Sequence, residues 1–155
     1  MQNVELKAKA WGKLKLFWVA ASFLISIFQF QISNAQVRVV KFNTIDSLLH
    51  NNTDTTLAIN FWATWCKPCV TELPYFEELN QKHSSKKIKI ILVSLDFKRE
   101  LGTRVKPFVT KNNISSQVLL LDEPDYNSWI DKVDSTWSGA IPATIIIAKI
   151  GRAHV

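Results

Sequence analysis

The stretch Phe61-Trp62-Ala63-Thr64-Trp65-Cys66-Lys67-Pro68-Cys69 runs from an apolar segment into two cysteines three positions apart. Behind it, Leu57-Ala58-Ile59-Asn60-Phe61-Trp62 is apolar almost throughout, the pattern of a strand buried on both faces. Ahead of it, a helix is expected from about Cys66 to His83, with Pro74 kinking it by removing the bond to the Val70 carbonyl. Cys66 then lies at a helix N-terminus, where unpaired N–H groups and the helix dipole favour negative charge and so a reactive thiolate. Pro68 fits the first turn, because its missing N–H would find no intrahelical partner there. Cys69, almost one turn on, is placed to attack a mixed disulfide on Cys66 while the helix shields it.

Outward from this point the chain alternates between strands and helices. Val37 to Val40, Ile88 to Leu95, Val118 to Leu121 and Ala143 to Ala148 read as strands, with a last short strand at Ala153 to Val155. Thr44 to His50, Lys98 to Lys111 (interrupted or kinked by Pro107) and Pro124 to Val133, with Trp129 and Ile130 on its apolar side, read as helices. Such alternation implies an α/β layer structure. A terminal hairpin would ordinarily want a helix over its exposed face, and no residues follow Val155 to make one.

The first 35 residues read as an address. Lys7, Lys9, Lys13 and Lys15 precede the apolar run Leu16 to Phe28, and Ser33-Asn34-Ala35 supplies the small residues of a cleavage site before Gln36. The run is about 13 residues, short of the roughly 20 that span a bilayer. Extended to Ile32 past Gln29 and Gln31, the same stretch reads as an uncleaved anchor, so membrane contact is expected only if the leader is retained. Either reading puts residues 36–155, one domain, across the membrane in an oxidising, periplasmic or other extracytoplasmic compartment. Half of the formal net charge of +6 belongs to the leader. The rest forms no basic stripe and argues against nucleic acid as a partner.

Two cysteines in an exported chain make no disulfide scaffold, and closing so short a loop removes little unfolded-state entropy. Chemistry explains the pair better. Half a zinc site is the competing use of such spacing, but His50, His83 and His154 show no paired spacing to complete it.

The strand followed by Trp65-Cys66-Lys67-Pro68-Cys69 resembles the thioredoxin superfamily, from about residue 37 onward. The resemblance implies a thioredoxin fold: a central mixed β-sheet flanked by helices, here without the C-terminal helix. Ile141-Pro142-Ala143-Thr144 resembles the family's cis-proline loop, which sits against the active-site disulfide and offers backbone groups to a substrate chain. Two departures from thioredoxin resemble the exported TlpA/ResA-like group. Asn60 stands where thioredoxin has a buried aspartate and cannot act as acid or base. Glu72 follows Cys69 in a Glu-x-Pro sequence, on the same helix face. In that group the glutamate tunes proton transfer at the cysteine pair; a surface acid in a helix first turn is the plainer reading.

The expected activity is dithiol–disulfide exchange on exported proteins, as a reductant, with Cys66 as nucleophile, Cys69 resolving and Glu72 assisting. Trp65, Lys67, Pro68, Ile141 and Pro142 are expected at the substrate surface. Lys67 is equally readable as a solvated lysine, and Trp62 as core packing. No cofactor or bound metal is expected, and a membrane reductant would recharge the pair. Oxidation or isomerisation by the same fold stays open, since direction depends on redox potential. So does a non-enzymatic copper or zinc module built on Cys66, Cys69 and His154. A peroxidase fits less well, since that branch does not need a resolving cysteine three residues away.

Overall fold

A computed structural model describes residues 36–50, 54–83, 87–149 and 151–154. The expected leader, residues 1–35, lies outside them. The elements in chain order are β1 (Arg38–Val40), α1 (Phe42–Leu49), β2 (Thr56–Trp62), α2 (Lys67–Lys82), β3 (Ile88–Ser94), α3 (Lys106–Lys111), β4 (Gln117–Leu121), α4 (Ile130–Val133), β5 (Ala143–Ala148) and β6 (Gly151–His154).

The strands form one six-stranded sheet in the order β1-β4-β3-β2-β5-β6. The first four of these run parallel, and β5 and β6 are antiparallel to their neighbours. Central β2 is therefore parallel to β3 on one side and antiparallel to β5 on the other. The chain leaving β2 consequently emerges at the same end of the sheet as the chain entering β5. Trp62 pairs with Ser94, and Phe61 with Ala143, so the segments following β2 and β3 and the segment preceding β5 share that end.

Both faces of the sheet are covered. Leu57, Ile59 and Phe61 of β2 face a core shared with Ile45 and Leu49 of α1, Trp129, Val133 and Trp137. Phe61 and Trp137 ring centroids lie 4.9 Å apart, Phe61 and Trp129 6.2 Å. On the opposite face Trp62 packs with Cys66, Cys69 and Leu73 at the start of α2 and with Val105 and Val109. On β5 this second layer thins out, and Ile146 is exposed. Glu77 of α2, although buried, accepts hydrogen bonds from the Ser115 amide and hydroxyl and the Ser116 amide, pinning the entry to β4 against the helix.

Two expected helices take a different form. Residues 98–111 are not one kinked helix but a 3-10 turn (Lys98–Glu100), a π turn (Leu101–Val105) and then α3. Pro107 sits in the first turn of α3, where its lack of an N–H leaves no helix bond broken. The region from Pro124 to Val133 holds only a 3-10 turn (Tyr126–Ser128), started by the Asp125 side chain accepting from the Asn127 amide, and the single turn of α4. Trp129 separates them with non-helical backbone (φ −137°, ψ −22°). Its indole donates to the Glu123 carbonyl at 3.3 Å and fills the core instead of continuing a helix. The last strand begins at Gly151, earlier than Ala153. Helix α2 runs continuously through Pro74.

Trp129 is 1% exposed and stacks or tilts against Phe42, Phe61, Tyr126 and Trp137. Trp129→Ala is therefore expected to cost about 3–5 kcal/mol, read as a lowered urea midpoint with little change in slope.

Candidate active site

The junction between β2 and α2 is a tight turn. The Cys66 amide donates to the Ala63 carbonyl at 3.1 Å, and Cys66 then caps α2 with extended backbone (φ −85°, ψ 97°). Its Sγ accepts the Cys69 amide at 3.3 Å, so a sulfur occupies the place where a serine or aspartate oxygen usually caps a helix. Cys66 and Cys69 are joined as a disulfide. Both are buried, Cys66 at 6% exposure and Cys69 fully. Pro68 is exposed in the first helical turn.

The segment before β5 reaches this disulfide because β5 is antiparallel to β2. The Ile141 carbonyl oxygen lies 3.8 Å from Cys66 Sγ, and the Ile141–Pro142 peptide bond is cis. Pro142 is exposed and Ile141 half-buried. Trp65, immediately before the first cysteine, is 58% exposed, whereas Trp62 is fully buried. Lys67 is exposed, and its ammonium forms no ion pair among the described residues.

Beneath the helix, Glu72 is half-buried and accepts a hydrogen bond from Asn60 Nδ2 at 2.7 Å. The same amide group donates to Thr144 Oγ1 at 3.1 Å. The described residues hold no cluster of three or more histidine, cysteine or carboxylate side chains arranged to bind a metal. His154 lies in β6, paired with Ile145 of β5.

Residues 27–152 match the AhpC/TSA family. The chain belongs to that family. Among curated AhpC/TSA-like relatives, it is similar to the thiol-disulfide oxidoreductase ResA of Bacillus cereus, 36% identical over 95 residues that cover 61% of this chain and 49% of ResA. It is also similar to the sporulation thiol-disulfide oxidoreductase A of Bacillus subtilis, 31% identical over 62 residues that cover 40% of this chain and 38% of that protein. The chain thus matches at most about half the length of these relatives. Among solved structures, a thioredoxin-family thiol:disulfide interchange protein from Chlorobium tepidum superposes with a TM-score of 0.53 at 21% identity, over 66% of this chain and 69% of that one. The fold is the thioredoxin fold.

One residue at the site carries no motif and escapes a reading of the sequence. Asp96 is 1% exposed and accepts from the Thr64 amide (3.0 Å), the Thr64 hydroxyl (2.6 Å) and the Ser94 hydroxyl (2.8 Å). It anchors the turn that carries Trp65 and Cys66. Its one sequence signal is position: Ser94-Leu95-Asp96 ends a buried strand parallel to β2, and such ends converge. Thr64 and Thr144 stand inside the quoted motifs, but their hydrogen bonds, to Asp96 and from Asn60, are visible only in the structure.

Hydrogen bonds to a buried carboxylate are worth about 1.5–3 kcal/mol each, and losing it orphans the Thr64 amide. Asp96→Ala is accordingly expected to destabilise by about 2–4 kcal/mol in equilibrium denaturation, and Thr64→Val by about 1–2 kcal/mol.

Proposed function

We propose that residues 36–155 are an extracytoplasmic thiol–disulfide oxidoreductase domain that reduces disulfides in exported proteins, reached by way of the leader in residues 1–35. The observation that carries this reading is the disulfide at the start of α2: a helix-capping Cys66 that keeps 6% exposure, a fully buried Cys69 and the Ile141 carbonyl alongside. The names of the curated relatives and the thioredoxin fold support it.

In the reduced protein, the Cys66 thiolate attacks one sulfur of a client disulfide. A mixed disulfide forms and the first client thiolate leaves. Cys69 then gives up its proton, with the Glu72 carboxylate as acceptor, and its thiolate attacks Cys66 Sγ. The Cys66–Cys69 disulfide forms and the second client thiolate departs, so two electrons have passed to the client. A dithiol donor at the membrane restores the pair by the reverse exchange. Trp65, exposed beside Cys66, and the Ile141–Pro142 backbone form the surface on which a client chain lies, with Lys67 and Pro68 at its rim.

The reducing direction is supported by how little holds the Cys66 anion. One amide at 3.3 Å approaches its sulfur, and Lys67 faces solvent. Every about 1.4 kcal/mol of extra thiolate stabilisation would raise the potential by about 30 mV and turn the couple toward oxidation. The potential of the Cys66–Cys69 couple, equilibrated against glutathione, is expected nearer the low end of the roughly −270 to −120 mV spanned by thioredoxin-like pairs. A value near the high end would overturn the direction.

Cys66→Ser is expected to abolish reduction of an insulin disulfide. Retained turnover would remove the assignment. Cys69→Ser should instead accumulate mixed disulfides through Cys66, visible on non-reducing gels and dispersed by dithiothreitol. Absence of any such adduct would contradict the division of labour between the two sulfurs.

A further inference from the structure

Beneath the disulfide lies a polar arrangement that the exchange steps leave unexplained. Asn60 is fully buried in the middle of β2, between Ile59 and Phe61, which are fully buried too. Its amide nitrogen makes two bonds, to Glu72 Oε1 at 2.7 Å and to Thr144 Oγ1 at 3.1 Å. An ionised carboxylate can only accept, so the NH2 group must face Glu72 and the carbonyl must face away. That carbonyl oxygen, Asn60 Oδ1, is buried with no hydrogen-bond partner among the described residues. Leaving a buried acceptor unpaired costs about 1–3 kcal/mol. An aliphatic side chain at this position would avoid that cost, so something done by the NH2 group must offset it.

We infer that Asn60 is a positioning residue: its amide holds the Glu72 carboxylate turned inward on the Cys69 face of α2, and Thr144 anchors that amide from β5. This inference rests on the exchange chemistry proposed above. A half-buried glutamate on a helix has three side-chain torsions and gains entropy by swinging into water. Nothing else on the described surface restrains it. Cys69 precedes it by three residues and so shares its helix face, Asn60 of β2 donates to it and to Thr144 of β5, and among the described residues no lysine, arginine or histidine pairs with it. From the segment Leu101 to Lys111, the side chains of Leu101, Val105, Phe108 and Val109 pack into this layer. On this reading Cys69 is the titratable group that shares the helix face of Glu72, and Asn60 the group that decides where Glu72 points.

The arrangement has a second consequence. Thr144 follows Pro142 by two residues and pairs with Asn60 across the β2–β5 register. The chain Glu72–Asn60–Thr144 therefore ties the proton acceptor to the strand whose leading residues lie against Cys66 Sγ. Proton acceptor and docking loop share one anchor.

A double-mutant cycle separates this role from mere packing. Asn60→Ala, Glu72→Gln and their combination are compared by the pH dependence of Cys66 alkylation in the reduced protein with iodoacetamide, and by insulin reduction. Asn60→Ala alone is expected to slow reduction about tenfold, a fraction of the 100-fold or more that a positioned proton acceptor supplies, and to displace the alkylation profile by about half a pH unit or more. In the Glu72→Gln background the same change should alter neither readout by more than about twofold, since there is no carboxylate left to hold. Thr144→Val, milder for folding, should follow the same pattern at about threefold. Equal losses with and without Glu72, or an unmoved alkylation profile in either folded variant, would overturn the inference. Alkylation needs no client, so it decides the role of Asn60 even if Cys66→Ser shows that protein disulfides are not the substrate.

Discussion

The site depends on a helix that starts with sulfur. Oxygen caps bind a first-turn amide firmly, whereas a sulfur at 3.3 Å is a weaker and longer acceptor. A helix begun this way would fray unless its entry were held by other means. Here the entry is held from three sides. Trp62 and Ala63 are fully buried behind it, the Cys66 amide bonds back to the Ala63 carbonyl, and Asp96 fixes both polar groups of Thr64. Rigidity that the cap itself does not supply comes from strand ends on either side. That leaves the sulfur free to change its bonding partner while the backbone around it stays in place.

Three buried or half-buried carboxylates, Glu72 and Glu77 on α2 and Asp96 after β3, are sorted by their hydrogen bonding. Glu77 is covered by the Ser115 and Ser116 amides and the Ser115 hydroxyl, and Asp96 by Thr64 and Ser94. Each is matched with donors and holds one segment of chain to another. Among the described residues Glu72 accepts from one donor, Asn60, which in turn leaves its own oxygen unmatched. Saturated carboxylates act as joints. A carboxylate held by a single donor keeps lone pairs available, which suits the proton acceptor proposed for Glu72.

Much of this was legible in the residues. The apolar run into Cys66-Lys67-Pro68-Cys69 specified a strand, a turn and a helix N-terminus, because each of those states has its own local chemistry. The roles of Trp62 and Trp65 as core and surface followed from their places on either side of the strand end. The segments misread as helices, 98–111 and 124–133, fail for a common reason. Their helical periodicity is set against a proline or a large aromatic whose burial is decided elsewhere in the chain. Pro107 resets the start of α3, and Trp129 gives up helical backbone to reach Phe61 and Trp137. Asp96 and Thr144 were illegible because their meaning is register, a property of two strands at once. No single strand's sequence states which residue will lie opposite Asn60.

Register also explains why so few residues suffice. In a wholly parallel sheet, the segment entering each strand lies at the opposite end from the segment leaving its neighbour. The reversal between β2 and β5 breaks that rule beside the central strand, bringing residues 141–142 to the end where residues 63–66 emerge. On the other flank, parallel β3 delivers Asp96 to the same end, since Trp62 and Ser94 are paired. One strand with unlike neighbours thus gathers a turn anchor from one side and the Ile141–Pro142 loop from the other. Placing Asn60 at the centre of that strand, opposite Thr144, puts it within reach of α2 above and β5 beside it. No edge strand of this sheet offers such a position, so a residue meant to couple the helix to the loop has to lie on β2.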